Sequence, residues 1–184
     1  MNTNIKRAVI NDINSDLITC YRTVRDKVED LIPALQEIQN QYYALQDMDA
    51  KREMFMAVRQ RYNEKNLDPI ENTVKFFFLN RTCFSGLYRV NKKDLFNVPC
   101  GKYMQPQICD EDTLRADSEL LKKVEILEGD FENTLLCAKG KTLFYFDPPY
   151  RPLSDTSSFN DYTKEAFNDD SQVRLKKFCD KVLA

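Results

Sequence analysis

Apolar residues recur from residue 17 to residue 45 at alternating intervals of four and three: Leu17, Tyr21, Val24, Val28, Leu31, Leu35, Ile38, Tyr42 and Leu45. That spacing is the seam of an amphipathic helix. Pro33 interrupts it, so the pattern predicts two helices, about 15–31 and 33–46, with Pro33 in the first turn of the second. A coiled coil is one reading, but the uninterrupted heptads are few, and amphipathic helices packing on one core are the expectation. A further helix is expected from Lys51 to Lys65. Asp68-Pro69-Ile70-Glu71 is a strong helix start: Asp68 caps, Pro69 takes the first helical position and Glu71 reaches back as in a capping box. That helix carries Val74 and Phe76 to Leu79 and should end near Asn80.

Shorter apolar runs have the period of strands. Ala8-Val-Ile ends in the polar turn Asn11-Asp12-Ile-Asn14. Leu87–Val90 and Leu95–Val98 flank Asn91-Lys-Lys-Asp94 and predict a hairpin, closed by Pro99 and Gly101. After a helix from Asp110 to Lys122, Val124–Leu127 reads as a strand ending in Glu128-Gly129-Asp130-Phe131. Thr142–Phe146 reads as a third strand, stopped by Asp147-Pro148-Pro149-Tyr150, because neither proline can donate a ladder hydrogen bond. The polar stretch Pro152–Asp170 is expected to be a loop beside that corner. The chain closes with an amphipathic helix, Val173–Leu183, bearing Leu175, Phe178 and Val182 on one face.

Composition narrows the class. The 184 residues are 42% apolar and 30% charged, enough for one domain, or one plus a small insert, with a packed core. No apolar run approaches the ~20 residues of a membrane span. Six cysteines show no CxxC pairing and the chain has no histidine, so histidine catalysis is excluded and no zinc site is expected. The cysteines read as reduced thiols of a cytoplasmic protein. Net charge is −2, but it is uneven. Between Lys75 and Lys102 stand Lys75, Arg81, Arg89, Lys92, Lys93 and Lys102 against Asp94 alone, so this stretch is +5 and the remainder −7. The local excess suits contact with phosphates, with a solvated basic surface as the plain alternative.

Three carboxylates, Asp12, Asp130 and Asp147, fall at predicted strand ends, where open α/β sheets bind ligands. Asp12 is placed to grip the hydroxyls of a ribose, or else it and Asn14 only cap the next helix. Asp130 can accept from an adenine amino group while Phe131 packs on the ring; the alternative is a helix cap and a core phenylalanine. Asp147 and the carbonyl of Pro148 can accept from an exocyclic amino group and aim its lone pair at an incoming methyl. Tyr150 offers a flat face for a planar base. A base inside a duplex cannot reach such a corner and would have to be flipped out. In the basic stretch, Arg89 is the best candidate for a bidentate contact to a guanine edge.

Taken together, Phe78-Leu-Asn80-Arg81-Thr-Cys-Phe84-Ser85-Gly86-Leu87-Tyr88-Arg89-Val-Asn91, its continuation Phe96-Asn-Val-Pro99-Cys-Gly101-Lys102-Tyr103, and Phe146-Asp147-Pro148-Pro149-Tyr150-Arg-Pro152-Leu153-Ser154 resemble the Dam/DpnM-type (D12 class) adenine-specific DNA methyltransferases. The resemblance covers nearly the whole chain. It implies an α/β fold: a partial Rossmann-like S-adenosylmethionine-dependent methyltransferase sheet, residues 1–20 and 111–184, with a mostly helical target-recognition insert at 21–110. It implies methylation of adenine N6 in double-stranded DNA, probing GATC, as in bacterial restriction-modification systems. It assigns Asp147, Pro148, Pro149 and Tyr150 to the catalytic corner, and Asp12, Asp130 and Phe131 to the cofactor. Arg89 becomes the guanine reader, Leu87 and Pro99 apolar contacts to bases, and Phe84 and Ser85 the pair that probes the opened base pair. Arg81 and Lys102 join them as DNA-binding basic residues. The family often has asparagine where Ser85 stands, and an aromatic where Cys100 stands.

The family's first strand and Gly-rich turn have no counterpart here: the four glycines (86, 101, 129 and 140) form no GxG. The chain is therefore read as truncated at both ends, with open sheet edges that favour self-association. Two readings of the function stay open at this point: an adenine methyltransferase, and an inactive fragment that keeps DNA binding through the insert. A third, an interaction protein built on the heptad seam, ranks below them.

Overall fold

The computed structural model describes residues 6–149 and 167–183. Strand β1 (Ala8–Asp12) is followed by helices α1 (Ser15–Ala44), α2 (Met48–Asn63), α3 (Pro69–Thr82) and α4 (Glu111–Leu121), then strand β2 (Val124–Glu128) and helix α5 (Asp169–Leu183). The two strands pair in parallel, from Ala8 opposite Val124 to Asp12 opposite Glu128. The architecture is thus mixed helix and strand with a small parallel sheet, compatible with an α/β methyltransferase-like fold.

Each helix start has a local cause. Asn14 accepts from the amides of Asp16 and Leu17 at the head of α1, Asp47 from Ala50 at α2, Asp68 from Ile70 and Glu71 at α3, and Asp110 from Thr113 at α4. These satisfy amide groups that a helix's first turn leaves without partners. Glu71 does not close a capping box. Its carboxylate takes a bidentate contact from Arg61, both bonds 2.9 Å, and a weaker one from Lys75 at 3.3 Å. A planar guanidinium fork outcompetes a single backbone amide for the same two oxygens.

Residues 15–44 form two helical halves joined by a kink, as the interrupted seam predicts, but the break falls at Lys27 (φ −137°, ψ 31°) and Pro33 lies within the second half. Proline removes the hydrogen bond to Glu29 and crowds its carbonyl, and the break lies six residues upstream of it. The core is built on Val24, Leu31, Ile32, Leu35, Ile38 and Tyr42 of α1, with Phe55 and Tyr62 of α2 and Phe78 and Leu79 of α3. Of the predicted seam, Leu17, Tyr21, Val28 and Leu45 are not fully buried, whereas Ile18, Cys20 and Ile32 are. The kink at Lys27 turns the buried stripe between the two halves. With α1 against α3 and α4 in one core, the seam has no need of a second chain.

The predicted hairpin is a turn with a single bridge, Val90 opposite Phe96, and no ladder. Asn91 and Asp94 close the turn, with Asp94 at φ +59°. A second bridge joins Cys83 to Cys100, flanked by Phe84 N–H to Pro99 O at 2.9 Å and Gly101 N–H to Thr82 O at 2.8 Å.

The third predicted strand is absent: 142–149 carries no ladder. It keeps the alternation of a strand. Phe144 and Phe146 face α5, while Leu143 and Tyr145 are 93% and 87% exposed. The apolar pattern therefore encodes a segment with one packed face, and the parallel pairing of β1 with β2 does not extend to it. Tyr150 and the loop predicted from Pro152 lie outside the described residues up to residue 166.

Candidate functional site

Parallel pairing brings the ends of β1 and β2 side by side. Gly129 N–H donates to the carbonyl of Asp12 at 3.0 Å, and Asn11 Nδ2 donates to the carbonyl of Gly129 at 2.9 Å. Asp12 and Asp130 thus meet at one sheet end, as the strand pattern predicts. Gly129 sits at φ +129°, which a side chain would strain, and this lets the chain turn from β2 into the next segment. Asp12 Oδ1 accepts from Asn14 N–H at 2.7 Å, so the carboxylate is held by the turn it belongs to. Asn14 caps α1; Asp12 does not.

Asp130 does cap: its Oδ1 accepts from Glu132 N–H at 2.9 Å at the start of a 3-10 turn, Phe131–Cys137. The capping alternative therefore holds for Asp130 and is compatible with a second role, since a carboxylate has two oxygens. Phe131 is half-buried and packs edge-on against Phe178 of α5, centroids 5.6 Å apart. Sequence reasoning missed Arg174. Its guanidinium pairs with Asp130 and Glu132, both at 3.0 Å, and lies 5.2 Å over the Phe131 ring. Asp130 and then Glu132 push the Arg174 pKa up. The spacing of Arg174 and Phe178, one helical turn apart, was the available signal.

Phe178 joins this pair to the Asp-Pro-Pro corner. It is 4% exposed and meets Phe131, Phe144 and Phe146 edge-on at 5.6–5.9 Å. Beyond Phe146, Asp147, Pro148 and Pro149 line an open depression of about 840 Å³ with Tyr145, Asp169, Gln172 and Val173. Asp147 is exposed there. Asp12 and Asp130 are thus joined through the sheet, and Phe178 touches the neighbours of Asp130 and Asp147, Phe131 and Phe146.

The donor set suits the nucleoside half of S-adenosylmethionine. Two carboxylates at adjacent strand ends are acceptors for ribose hydroxyls and an adenine amino group, and Phe131 is a flat apolar surface beside them. Asn11 Oδ1 on the same strand is buried without a hydrogen-bond partner, an acceptor available to a donor at this sheet end.

The basic segment forms a second face. Arg81, Phe84, Ser85, Leu87, Pro99 and Lys102 are all exposed, Phe84 at 57%. The Cys83–Cys100 bridge puts the Phe84 and Pro99 loops next to each other. Ser85 holds a left-handed conformation (φ 55°, ψ 20°), and Asn80 Nδ2 ties the turn by donating to Gly86 O at 2.8 Å. Arg89 is half-buried. Its Nε donates to Asn97 Oδ1 at 2.8 Å, a bond that does not engage the two terminal nitrogens. Behind this face lies an acidic and phenolic cluster: Tyr62 donates to Asp16 at 2.7 Å and lies 3.5 Å from the Tyr88 hydroxyl.

Residues 1–183 match the family model of the D12 class N6 adenine-specific DNA methyltransferases. The chain is similar to the Type II methyltransferase M.MjaIII of Methanocaldococcus jannaschii, 46% identical over 179 residues, covering 96% of this chain and 62% of the relative. It is similar to the Type II methyltransferase M1.LlaDCHI of Lactococcus lactis subsp. cremoris, 39% identical over 176 residues, 93% of this chain and 59% of the relative. It is 31% identical over 180 residues to the DNA adenine methylase of Escherichia coli (strain K12), 98% of this chain and 62% of the relative. The chain spans about three fifths of the length of these relatives.

Proposed function

Because the chain belongs to the D12 class of N6 adenine-specific DNA methyltransferases, we propose that it transfers a methyl group from S-adenosylmethionine to N6 of an adenine flipped out of duplex DNA, within GATC. The observation that supports this reading is the meeting of Asp12 and Asp130 at one sheet end, with Phe131, next to Asp130, and Phe146, next to Asp147, both packed on Phe178. We assign residues 1–20 and 111–184 to a partial Rossmann-like catalytic part and 21–110 to the target-recognition insert.

When bound, the cofactor supplies an electrophilic sulfonium methyl. Asp12 would hold its ribose, and Asp130 and Phe131 its adenine. Asp147 and the Pro148 carbonyl accept from the target amino group, which localises the lone pair on nitrogen and aims it in line at the methyl. Tyr150 stacks on the flipped base. Arg89 reads a guanine, Leu87 and Pro99 touch bases, and Phe84 and Ser85 fill the space the adenine leaves. Arg81 and Lys102 meet phosphates. The open edges of the sheet favour self-association; sedimentation as a monomer at micromolar concentration would contradict this.

A second reading, DNA binding without methyl transfer, draws on the contrast between the bases-facing hairpin, set in the packed helical core, and the Asp147 segment, which carries no ladder. One assay separates the two. Labelled-methyl transfer from S-adenosylmethionine is compared on GATC and scrambled duplexes, with binding measured alongside. Transfer confined to GATC supports the enzyme. GATC-selective binding with no transfer supports the second reading, and neither activity refutes both. Arg89→Ala is expected to lose about 1–3 kcal/mol of discrimination at one guanine.

A further inference from the structure

The bridge between Val90 and Phe96 is the kind in which the paired residues' own amides point away from each other. Asn91 N–H to Leu95 O, 2.9 Å, and Asn97 N–H to Arg89 O, 3.2 Å, lie on either side of it. The N–H and C=O of Phe96 therefore face outward, although Phe96 is only 2% exposed. Unpaired, they would carry the full cost of buried backbone groups. Asn63, the last residue of α2, satisfies both. Phe96 N–H donates to Asn63 Oδ1 at 2.8 Å, and Asn63 Nδ2 donates to Phe96 O at 3.0 Å. A primary amide presents an acceptor and a donor side by side, as a neighbouring strand would, so Asn63 stands in for a third strand. One helical turn earlier, Arg59 Nη1 donates to Val98 O at 3.3 Å. The register of Phe96 sets Asn97, and Asn97 holds Arg89.

Tyr62, next to Asn63, reaches the opposite way. It is 1% exposed, its ring packs edge-on with Phe96 at 6.3 Å, and its hydroxyl donates to Asp16 in the first turn of α1. Burial first, then the nearby Tyr88 and Asp16, push its phenol far above the ordinary value, so it remains a donor at any working pH. Lys65, just past α2, also donates to Asp16 at 2.7 Å and pairs with Asp94 in the hairpin turn at 3.4 Å. Asp16 stands two residues from Asn14, whose amide and side chain fix both Asp12 and the head of α1.

We propose that the end of α2 is a positioning element that sets the base-reading hairpin and the cofactor strand in one frame. Asn63 fixes the register of the hairpin, and Tyr62 ties it to the turn that carries Asp12. The proposal rests on the methyltransferase reading and adds two positioning residues to it. Neither touches substrate. Their consequence is that base discrimination and cofactor binding are linked: holding Asp12 holds Asp16, and holding Asp16 holds the wall on which Tyr88 and Phe96 sit.

The test uses the full chain with Tyr62→Phe and Asn63→Asp. Tyr62→Phe keeps the ring against Phe96 and removes only the hydroxyl. Asn63→Asp keeps the acceptor for Phe96 N–H but loses the donor and sets a carboxylate against a carbonyl. Binding to GATC and scrambled duplexes is measured by fluorescence anisotropy with and without S-adenosylhomocysteine, and amide exchange of residues 91–97 is measured without DNA. Expected for Asn63→Asp are faster exchange at Phe96 and a loss of about tenfold in site discrimination. Expected for Tyr62→Phe is near-normal discrimination without the tightening that S-adenosylhomocysteine gives the unmodified chain. A purely structural role would lower binding to both duplexes alike. Discrimination, cofactor response and Phe96 exchange all unchanged in both variants would overturn the proposal while leaving the methyltransferase reading intact. An unmodified chain that ignores both site and cofactor would sink that reading instead; Phe96 exchange unaltered by Asn63→Asp would then independently overturn the clamp.

Discussion

Replacing Phe178 with alanine should detach α5 and the Asp147 segment from the rest of the chain without unfolding the helical core. Phe178 is 4% exposed and is the shared partner of Phe131, Phe144 and Phe146. Truncating a buried phenylalanine costs about 3–5 kcal/mol. The three edge-on contacts, each about 0.5–1.5 kcal/mol, are part of that figure. The loss is local because of how these elements are held. Segment 142–149 has no strand ladder, and α5 has 15 residues, a length at which an isolated helix is marginal in water. Its order comes from the packed face that Phe178 anchors. A loss of at least 3 kcal/mol means α5 amides exchanging about a hundredfold faster or more. The assay is native-state hydrogen exchange read by mass spectrometry, with α1 and α3 as internal references. Unchanged protection of α5 in Phe178→Ala would refute the claim that this ring holds the corner in place.

Three further outcomes are expected. Arg174→Ala should tighten S-adenosylhomocysteine binding a few-fold at low salt, because Arg174 occupies Asp130 and covers Phe131; weaker binding by calorimetry would show that the arginine supports the pocket instead. Glu71 is held below the ordinary carboxylate value of 4.5 chiefly by its bond from Arg61. A depressed carboxylate stabilises the fold above its unfolded value and loses that effect as pH falls through the folded one, so Glu71→Gln should lower the urea midpoint at pH 7 and match the unmodified chain at pH 2; a gap of the same size at both would contradict the linkage. Lys51, 1% exposed, donates to Tyr42 O at 2.6 Å and lies 4.4 Å over the Tyr42 ring, so Lys51→Met should cost about 1.5–3 kcal/mol in urea unfolding, and an unshifted midpoint would rule that out.

What could be read from the sequence was local. Asp68-Pro69 marks the start of α3, and Asp110 the start of α4, because capping depends on neighbours a few residues away. The strand ends at Asp12 and Asp130 were legible for the same reason, since a short apolar run must stop where polar turn residues begin. Pro33 was right about a break and wrong about its place: the backbone leaves helical geometry at Lys27, and exposed Pro33 sits within the second half. Thr142–Phe146 misled because alternation reports one packed face and is silent on whether a neighbouring strand supplies the hydrogen bonds. Asn63 was invisible, and Arg174 showed only in its one-turn spacing from Phe178: each acts on residues more than thirty positions away, and an asparagine at a helix end or an arginine on a helix face has many ordinary uses.

The parallel pair β1–β2 has a kinetic consequence. Asn11 and Gly129, which share a hydrogen bond across it, stand 118 residues apart in the chain. Such a contact must close a long loop before it gains anything, and pairing of that kind is slow. Helices α1 to α4 fill the interval and can fold against one another first, which draws the two strands together. Asp12 and Asp130 then become neighbours only at the last stage. Pulse-labelled exchange during refolding should show α1 and α3 protected before residues 8–12 and 124–128; simultaneous protection would contradict this order. On this route the turn at Asn91–Asp94 is already formed when the strand ends bearing Asp12 and Asp130 have yet to meet.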